Sequence, residues 1–118
     1  MKHVDQLERG SLGHELQGAV SDLMYQVGIA LYDAGRLAQS ERAGAIALDL
    51  AHQAEDPPAR ARAYDALSRV SLYRGDPLRA VRHAQRGLRV PDLPPSRLSS
   101  LHMRLGRALA CVNGGPIS

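Results

Sequence analysis

The 118-residue chain contains no Phe, no Trp, a single cysteine and a single lysine, and no apolar run approaches the ~20 residues of a membrane-spanning helix. Each absence excludes something. With one thiol, Cys111, neither an internal disulfide framework nor a multi-thiolate metal site can form, so a reducing cytoplasm is the expected location. The start, Met1 to Ser11, lacks the apolar core of a secretory signal. The β-favouring residues are few: seven Val, three Ile and four Tyr. What is abundant is Ala and Leu, seventeen of each, both strong helix formers. Composition therefore predicts an all-α chain, and the length predicts one domain, 1–118.

Charge is distributed unevenly. Residues 1–59 carry nine acidic and four basic side chains, whereas residues 60–118 carry eleven Arg against Asp65, Asp76 and Asp92. Such a dipolar chain could associate with itself head to tail or antiparallel. Arg suits bidentate capture of carboxylate or phosphate, although a genome rich in G and C would also favour it.

Helix signals recur in a fixed order. Leu12, Leu16, Val20, Leu23, Val27 and Leu31 keep one stripe along a long helix that Gly35 stops. A second helix is predicted from Ser40, as N-cap, to Ala54, with Ala43, Ala47, Leu50, Ala51 and Ala54 on its buried side. Glu55-Asp56-Pro57-Pro58 breaks the chain and restarts it, proline being tolerated in a first turn. The third helix carries Tyr64, Leu67, Val70 and Leu72 and stops at Gly75. Asp76-Pro77 opens a fourth with Ala80, Val81, Ala84 and Leu88. After the stiff Pro91–Pro95 linker, Ser96 is expected to cap a fifth helix that ends near Asn113-Gly114-Gly115. Residues 1–11, interrupted by Gly10, are expected to be weakly ordered or a short helix over Val4–Arg9, and 115–118 a tail.

The order repeats. Tyr25-x-Val27-Gly28-x-x-Leu31, Tyr64-x-x-Leu67-Ser68-x-x-Ser71-Leu72 and His102-x-x-Leu105-Gly106-x-x-Leu109 align, with the small residues Gly28, Ser68 and Gly106 spaced by 40 and 38. A mid-helix Gly costs up to about 1 kcal/mol of helix propensity. Close approach of a neighbouring helix is the expected compensation. Helices that alternate in this way cannot cover their stripes alone and stack on one another.

This pattern resembles the tetratricopeptide repeat. The best-matching unit, Ala61 to Asp92, supplies Tyr64, Leu67-Ser68, Gly75, Ala80, Gly87-Leu88 and Pro91. Ser71 and Ala84 stand where the family places aromatics, and the 38–40 period exceeds the usual 34. Ile29–Gly35, Ser71–Pro77 and Leu101–Leu109 resemble, more narrowly, the C-terminal repeat region of bacterial helix-turn-helix transcription regulators, a similarity that spans about Asp22 to Gly114. It implies a solenoid of antiparallel helix pairs, five or six helices in about two and a half repeats. Those regulators place a DNA-binding bundle first, and the residues ahead of these repeats leave no room for one. Either the chain is a free-standing or truncated sensor module, or the resemblance is to the fold alone; the expected action is to grip a peptide, or another copy of such a module, without chemistry of its own.

In the repeat family the first helix of each unit lines the concave face. Carried onto this chain, that implies a peptide-binding surface at Tyr25, Tyr32, Arg62, Arg69, Tyr73, Met103 and Arg107, with Asp65 and Ser100 among the same positions. Tyr and Arg dominate binding hot spots, and Arg69 and Arg107 could hold a carboxylate. The Lys and Asn of a chaperone-tail clamp are absent. The reading left open is that the tyrosines pack between helices and the arginines are solvated. The last helix lacks its natural successor, so Leu101, Leu105 and Leu109 are expected to form an uncovered stripe that invites a homodimer or end-packing.

No other chemistry is expected. His3, His14, His52, His83 and His102 form no i,i+4 pair or HExxH segment, so no metal site is assigned. There is no phosphate loop, hence no nucleotide cofactor, and no convergent acid, base and nucleophile set to make an enzyme. Arg79, Arg82, Arg86 and Arg89 form one basic stripe on the fourth helix. Direct nucleic-acid binding through it is the alternative function, weakened by the lack of interleaved aromatics.

Overall fold

The computed structural model describes the backbone of residues 2–114 and the side chains of residues 12–114. Five helices follow one another: α1 (Lys2–Asp33), α2 (Leu37–Gln53), α3 (Pro57–Tyr73), α4 (Pro77–Leu88) and α5 (Pro95–Val112). Among the described residues there is no strand. The all-α expectation with five helices is met. The expected tail at 115–118 lies outside the described residues.

Three of the four connections are the same turn. Ala34-Gly35-Arg36, Ala54-Glu55-Asp56 and Arg74-Gly75-Asp76 each place a left-handed residue at the centre, with φ of 77°, 52° and 84°. In each, two backbone N–H groups turn back onto the last carbonyls: Gly35 onto Tyr32 and Arg36 onto Leu31, Glu55 onto His52 and Asp56 onto Ala51, Gly75 onto Leu72 and Asp76 onto Ser71. This paired closure satisfies carbonyls that a helix end would otherwise leave bare. The turns recur every 20 residues, so helices begin at Leu37, Pro57 and Pro77. Asp56 and Asp76 then cap α3 and α4 by accepting from the N–H groups of Ala59 and Arg79, each at 3.1 Å.

Three local expectations change. Gly10 and Gly13 do not interrupt α1, which is continuous from Lys2, so there is no separate short helix. The good helix formers around them carry the two glycines. α2 starts at Leu37 and not after Ser40, because the turn at Gly35 leads straight into it. The Ser40 hydroxyl instead donates to the Gly28 carbonyl on α1 at 2.7 Å. α5 starts at Pro95, whose missing N–H costs nothing in a first turn, and Ser96 is not its cap.

Packing runs between neighbours. α2 lies on α1 and α3, α4 lies on α3 and α5, and the odd-numbered helices touch in order, α1 on α3 and α3 on α5. α1 and α5 do not pack together, and α2 and α4 reach each other through side chains alone, as in the Glu41–Arg79 pair. The result is one row of three helices with two more in the grooves behind it. Its radius of gyration, 15.8 Å, exceeds the ~13.5 Å of a compact chain of this length.

The core is built from small residues, nine of them Ala. Small side chains let helix backbones approach, and serines close the seams. The repeated positions 28 and 68 pair with 40 and 80. In the first pair Ser40 donates across to the Gly28 carbonyl, and in the second Ser68 donates to the Ala80 carbonyl at 2.8 Å. The same contact is made twice with donor and acceptor exchanged. Larger knobs fill the gaps that glycines leave: Leu67 of α3 enters over Gly44 of α2, and Leu101 of α5 enters over Gly87 of α4. Gly106, third in the series, has no atom within 4 Å of a Cβ built on it, because no helix follows α5 among the described residues.

Candidate functional site

The charge asymmetry of the chain is partly consumed inside it. Asp22 of α1 faces Arg62 of α3 at 3.6 Å, and Glu41 of α2 holds Arg74 at 2.9 Å and Arg79 at 3.3 Å. Acidic groups of the first half thus meet arginines of the second. Arg79 also lies 3.5 Å from Asp76, which removes it from the free basic stripe on α4.

The row formed by α1, α3 and α5 assembles most of the tyrosines and arginines read from the sequence. The Arg69 guanidinium stacks 3.9 Å from the centre of the Tyr32 ring, and Arg62 stands 5.9 Å from that of Tyr25. Both lie within reach of a cation–π attraction, the first much closer than the second. Tyr73 meets Tyr32 edge to face at 5.8 Å, an arrangement aromatic quadrupoles favour. Burial pushes the Tyr32 phenol above its ordinary range; Arg69 opposes the rise and Tyr73 adds to it. The tyrosines therefore both pack between helices and stack on arginine.

Asp65 is the anchor of this face. It is buried on α3 and accepts from Arg97 Nη1 and Ser100 Oγ, each at 2.6 Å, and from Arg104 Nε at 2.8 Å. Burial raises its carboxyl, but the hydrogen bonds from Ser100, Arg104 and Arg97 outweigh that and hold it below the usual carboxylate range. Asp65 and Ser100 fell on the expected face, but Arg97 and Arg104 were not foreseen. Their spacing to Ser100, three and four residues on one helix, is the signal that could have found them.

Between these groups lies a recess of about 100 Å³ lined by Tyr25, Ile29, Asp65, Arg69, Arg97, Ser100 and Arg104. Arg97 and Arg104 share one carboxylate, and among the described residues Arg69 has no carboxylate partner. The Nε donors of Arg62 and Arg69 are buried without a hydrogen bond. Met103 and Arg107 are exposed on α5 and are not part of this recess.

The expected end stripe is redistributed. Leu101 is 0% exposed because it fills the space over Gly87, and Leu105 packs on the cluster of Leu72, Ala80, Val81 and Ala108. Of the three expected residues only Leu109 is open, joined by Leu98 and Val112. The long stripe of α1 is the larger surprise. Leu12, Leu16 and Leu23 are 63%, 67% and 59% exposed, and Val20 and Val27 lie beside them in the open.

A second groove, about 390 Å³, runs between α2 and α4 and is lined by Glu41, Leu48, Asp49, Arg79, Arg82, His83 and Arg86. Of its charges Glu41 and Arg79 are paired, while among the described residues Asp49, Arg82 and Arg86 make no ion pair. Burial, aided by Arg86 and Arg79, pushes the His83 imidazole below its ordinary value. Among the described residues no His, Cys, Asp and Glu side chains gather in a metal-binding group, and no helix is long and apolar enough to cross a membrane.

No protein-family model matches this chain, and no curated protein or solved structure matches it either.

Proposed function

We propose that the chain is a non-enzymatic interaction module, a tetratricopeptide-like array of helix pairs that grips an acidic protein or peptide segment along the face of α1, α3 and α5. The observation that carries this reading is Arg69, stacked on Tyr32 with its Nε buried and unbonded, beside a recess in which two further arginines share the single carboxylate of Asp65. A carboxylate from a partner would meet Arg69 with charge-assisted hydrogen bonds, while the tyrosines supply rigid contact area. The 20-residue turn spacing and the repeated 28/40 and 68/80 contacts support the array. The likeness of these repeats to the sensor region of transcription regulators makes regulation by a bound peptide the biological setting proposed.

Affinity capture from cell extract tests it. Wild type is compared with Arg69→Ala/Arg107→Ala on this face and with Arg82→Ala/Arg89→Ala on α4. Partners lost from the first variant and kept by the second are expected. Equal recovery with all three proteins would refute the assignment, and loss confined to the α4 variant would move the site to the basic stripe.

A further inference from the structure

Among the described residues, the outward face of α1 gathers five of the exposed large hydrophobic side chains, and the peptide-binding reading makes no use of it. Tyr25 and Tyr32 turn to α3, and Gly28 and Ser21 turn to α2, where Ser21 donates to the Ala47 carbonyl at 2.7 Å. The opposite side of the helix holds Leu12, Leu16, Val20, Leu23 and Val27, stepping by four, four, three and four residues. That step keeps a seam on one side of a helix, as in a pair of helices packed along their length. Ala19, Gln26 and Ala30 are exposed and fill in the same face, which is free of charge from Leu12 to Ala30. Glu15 and Asp22 stand only at its edge, and Asp22 is turned to Arg62.

We propose that this face is a self-association surface: two copies of the chain pair through α1, antiparallel, crossing near Val20 and Leu23. Three arguments select a second copy as occupant. The first is area. At roughly 100 Å² for each exposed Leu and half that for each Val, the five side chains offer on the order of 400 Å² per copy, the size of patch that marks an interaction site. Two copies then bury roughly 800 Å² from these side chains alone, and Ala19, Gln26 and Ala30 bring the total towards the ~1,000 Å² that a specific interface needs. The second is self-compatibility. A two-fold contact sets a surface against itself, so a charge in this strip would be buried against apolar side chains, and the strip has none from Leu12 to Ala30. The third is orientation: antiparallel pairing along this strip opposes the two helix dipoles. The Tyr/Arg face lies on the other side of α1 and stays open, so the dimer would carry two of them.

The α5 end does not compete on these terms. Its open residues, Leu98, Leu109 and Val112, are fewer, and Leu101 and Leu105 of the same helix are already taken up by α4 and its neighbours.

The full chain, with Cys111 kept reduced, is measured by light scattering across a concentration series. Wild type is expected at twice the 12.7 kDa chain mass. Leu16→Glu and Leu23→Glu change exposed positions and are expected to give folded monomers of unchanged helicity, with Leu109→Glu remaining dimeric. A second readout uses Leu23→Cys in a Cys111→Ser background, which is expected to cross-link through a disulfide under mild oxidation. A wild-type monomer up to about 100 μM overturns the proposal. So does a dimer that Leu109→Glu breaks and the α1 variants leave intact. Species that grow past two with concentration would mean head-to-tail joining of α1 to α5, and would overturn it as well.

Discussion

Replacing Asp65 by Ala removes the carboxylate that ties α5 to α3. Three donors converge on it, two of them guanidinium groups, and the Asp65 side chain is only 5% exposed. Removing one partner of a buried pair typically costs about 3–5 kcal/mol. Arg97 and Arg104 keep 24% and 18% of their side chains in water and can rehydrate, so about 2–4 kcal/mol is the expected loss. With a urea slope of about 2 kcal/mol/M, the unfolding midpoint should fall by roughly 1–2 M. Hydrogen exchange should accelerate first in α5, whose backbone amides depend on this tie. The pH dependence follows from the lowered carboxyl. Its contribution is complete above the unfolded value of about 3.9 and is lost as pH falls through the lower folded value. The gap between wild type and variant should therefore be full at pH 7 and narrow below about pH 4. A variant that unfolds at the wild-type midpoint, or a gap that stays constant down to pH 3, would refute this account.

Three further outcomes are expected. Glu55 sits at φ 52° where the equivalent turns use Gly35 and Gly75, so Glu55→Gly should raise thermal stability, by up to about 1 kcal/mol, and a lower melting temperature would contradict the turn assignment. A Cβ at residue 87 would come within 2.7 Å of Leu101 and 3.1 Å of Tyr64, whereas one at residue 106 meets nothing. Gly87→Ala should cost about 1–3 kcal/mol in denaturant unfolding, while Gly106→Ala should gain up to about 1 kcal/mol of helix propensity.

Much of the fold was legible because helix ends are local events. Gly35, Gly75, Asp56-Pro57 and Asp76-Pro77 act within a few residues of themselves, and each was readable as a stop or a start. Glu55 was not recognised as the third member of the turn series because its left-handed φ is imposed by the closure and not announced by a glycine. Ser40 and Ser96 misled for the opposite reason: both are good caps, but an earlier turn and a proline had already started their helices. The Tyr/Arg face was half legible. Its tyrosines follow from repeat register, but the Asp65 hub depends on which arginines of α5 reach across to α3, and that is decided by how α5 docks. Burial of Leu101 depended on the same thing, since only the absent Cβ of Gly87 makes room for it. The open stripe of α1 has the period of a buried one, and nothing in that period says whether a neighbour is present.

The three equal turns also have an evolutionary consequence. Because each closes on carbonyls of the helix just ended, and because every helix leans only on near neighbours in the chain, a copied block starting after one turn and ending with another would find its supports already in place. Duplicating residues 37–76 directly after Asp76 should lengthen the row by one helix pair without disturbing either end. A row built in this way can be lengthened in 40-residue steps, each bringing its own turns with it.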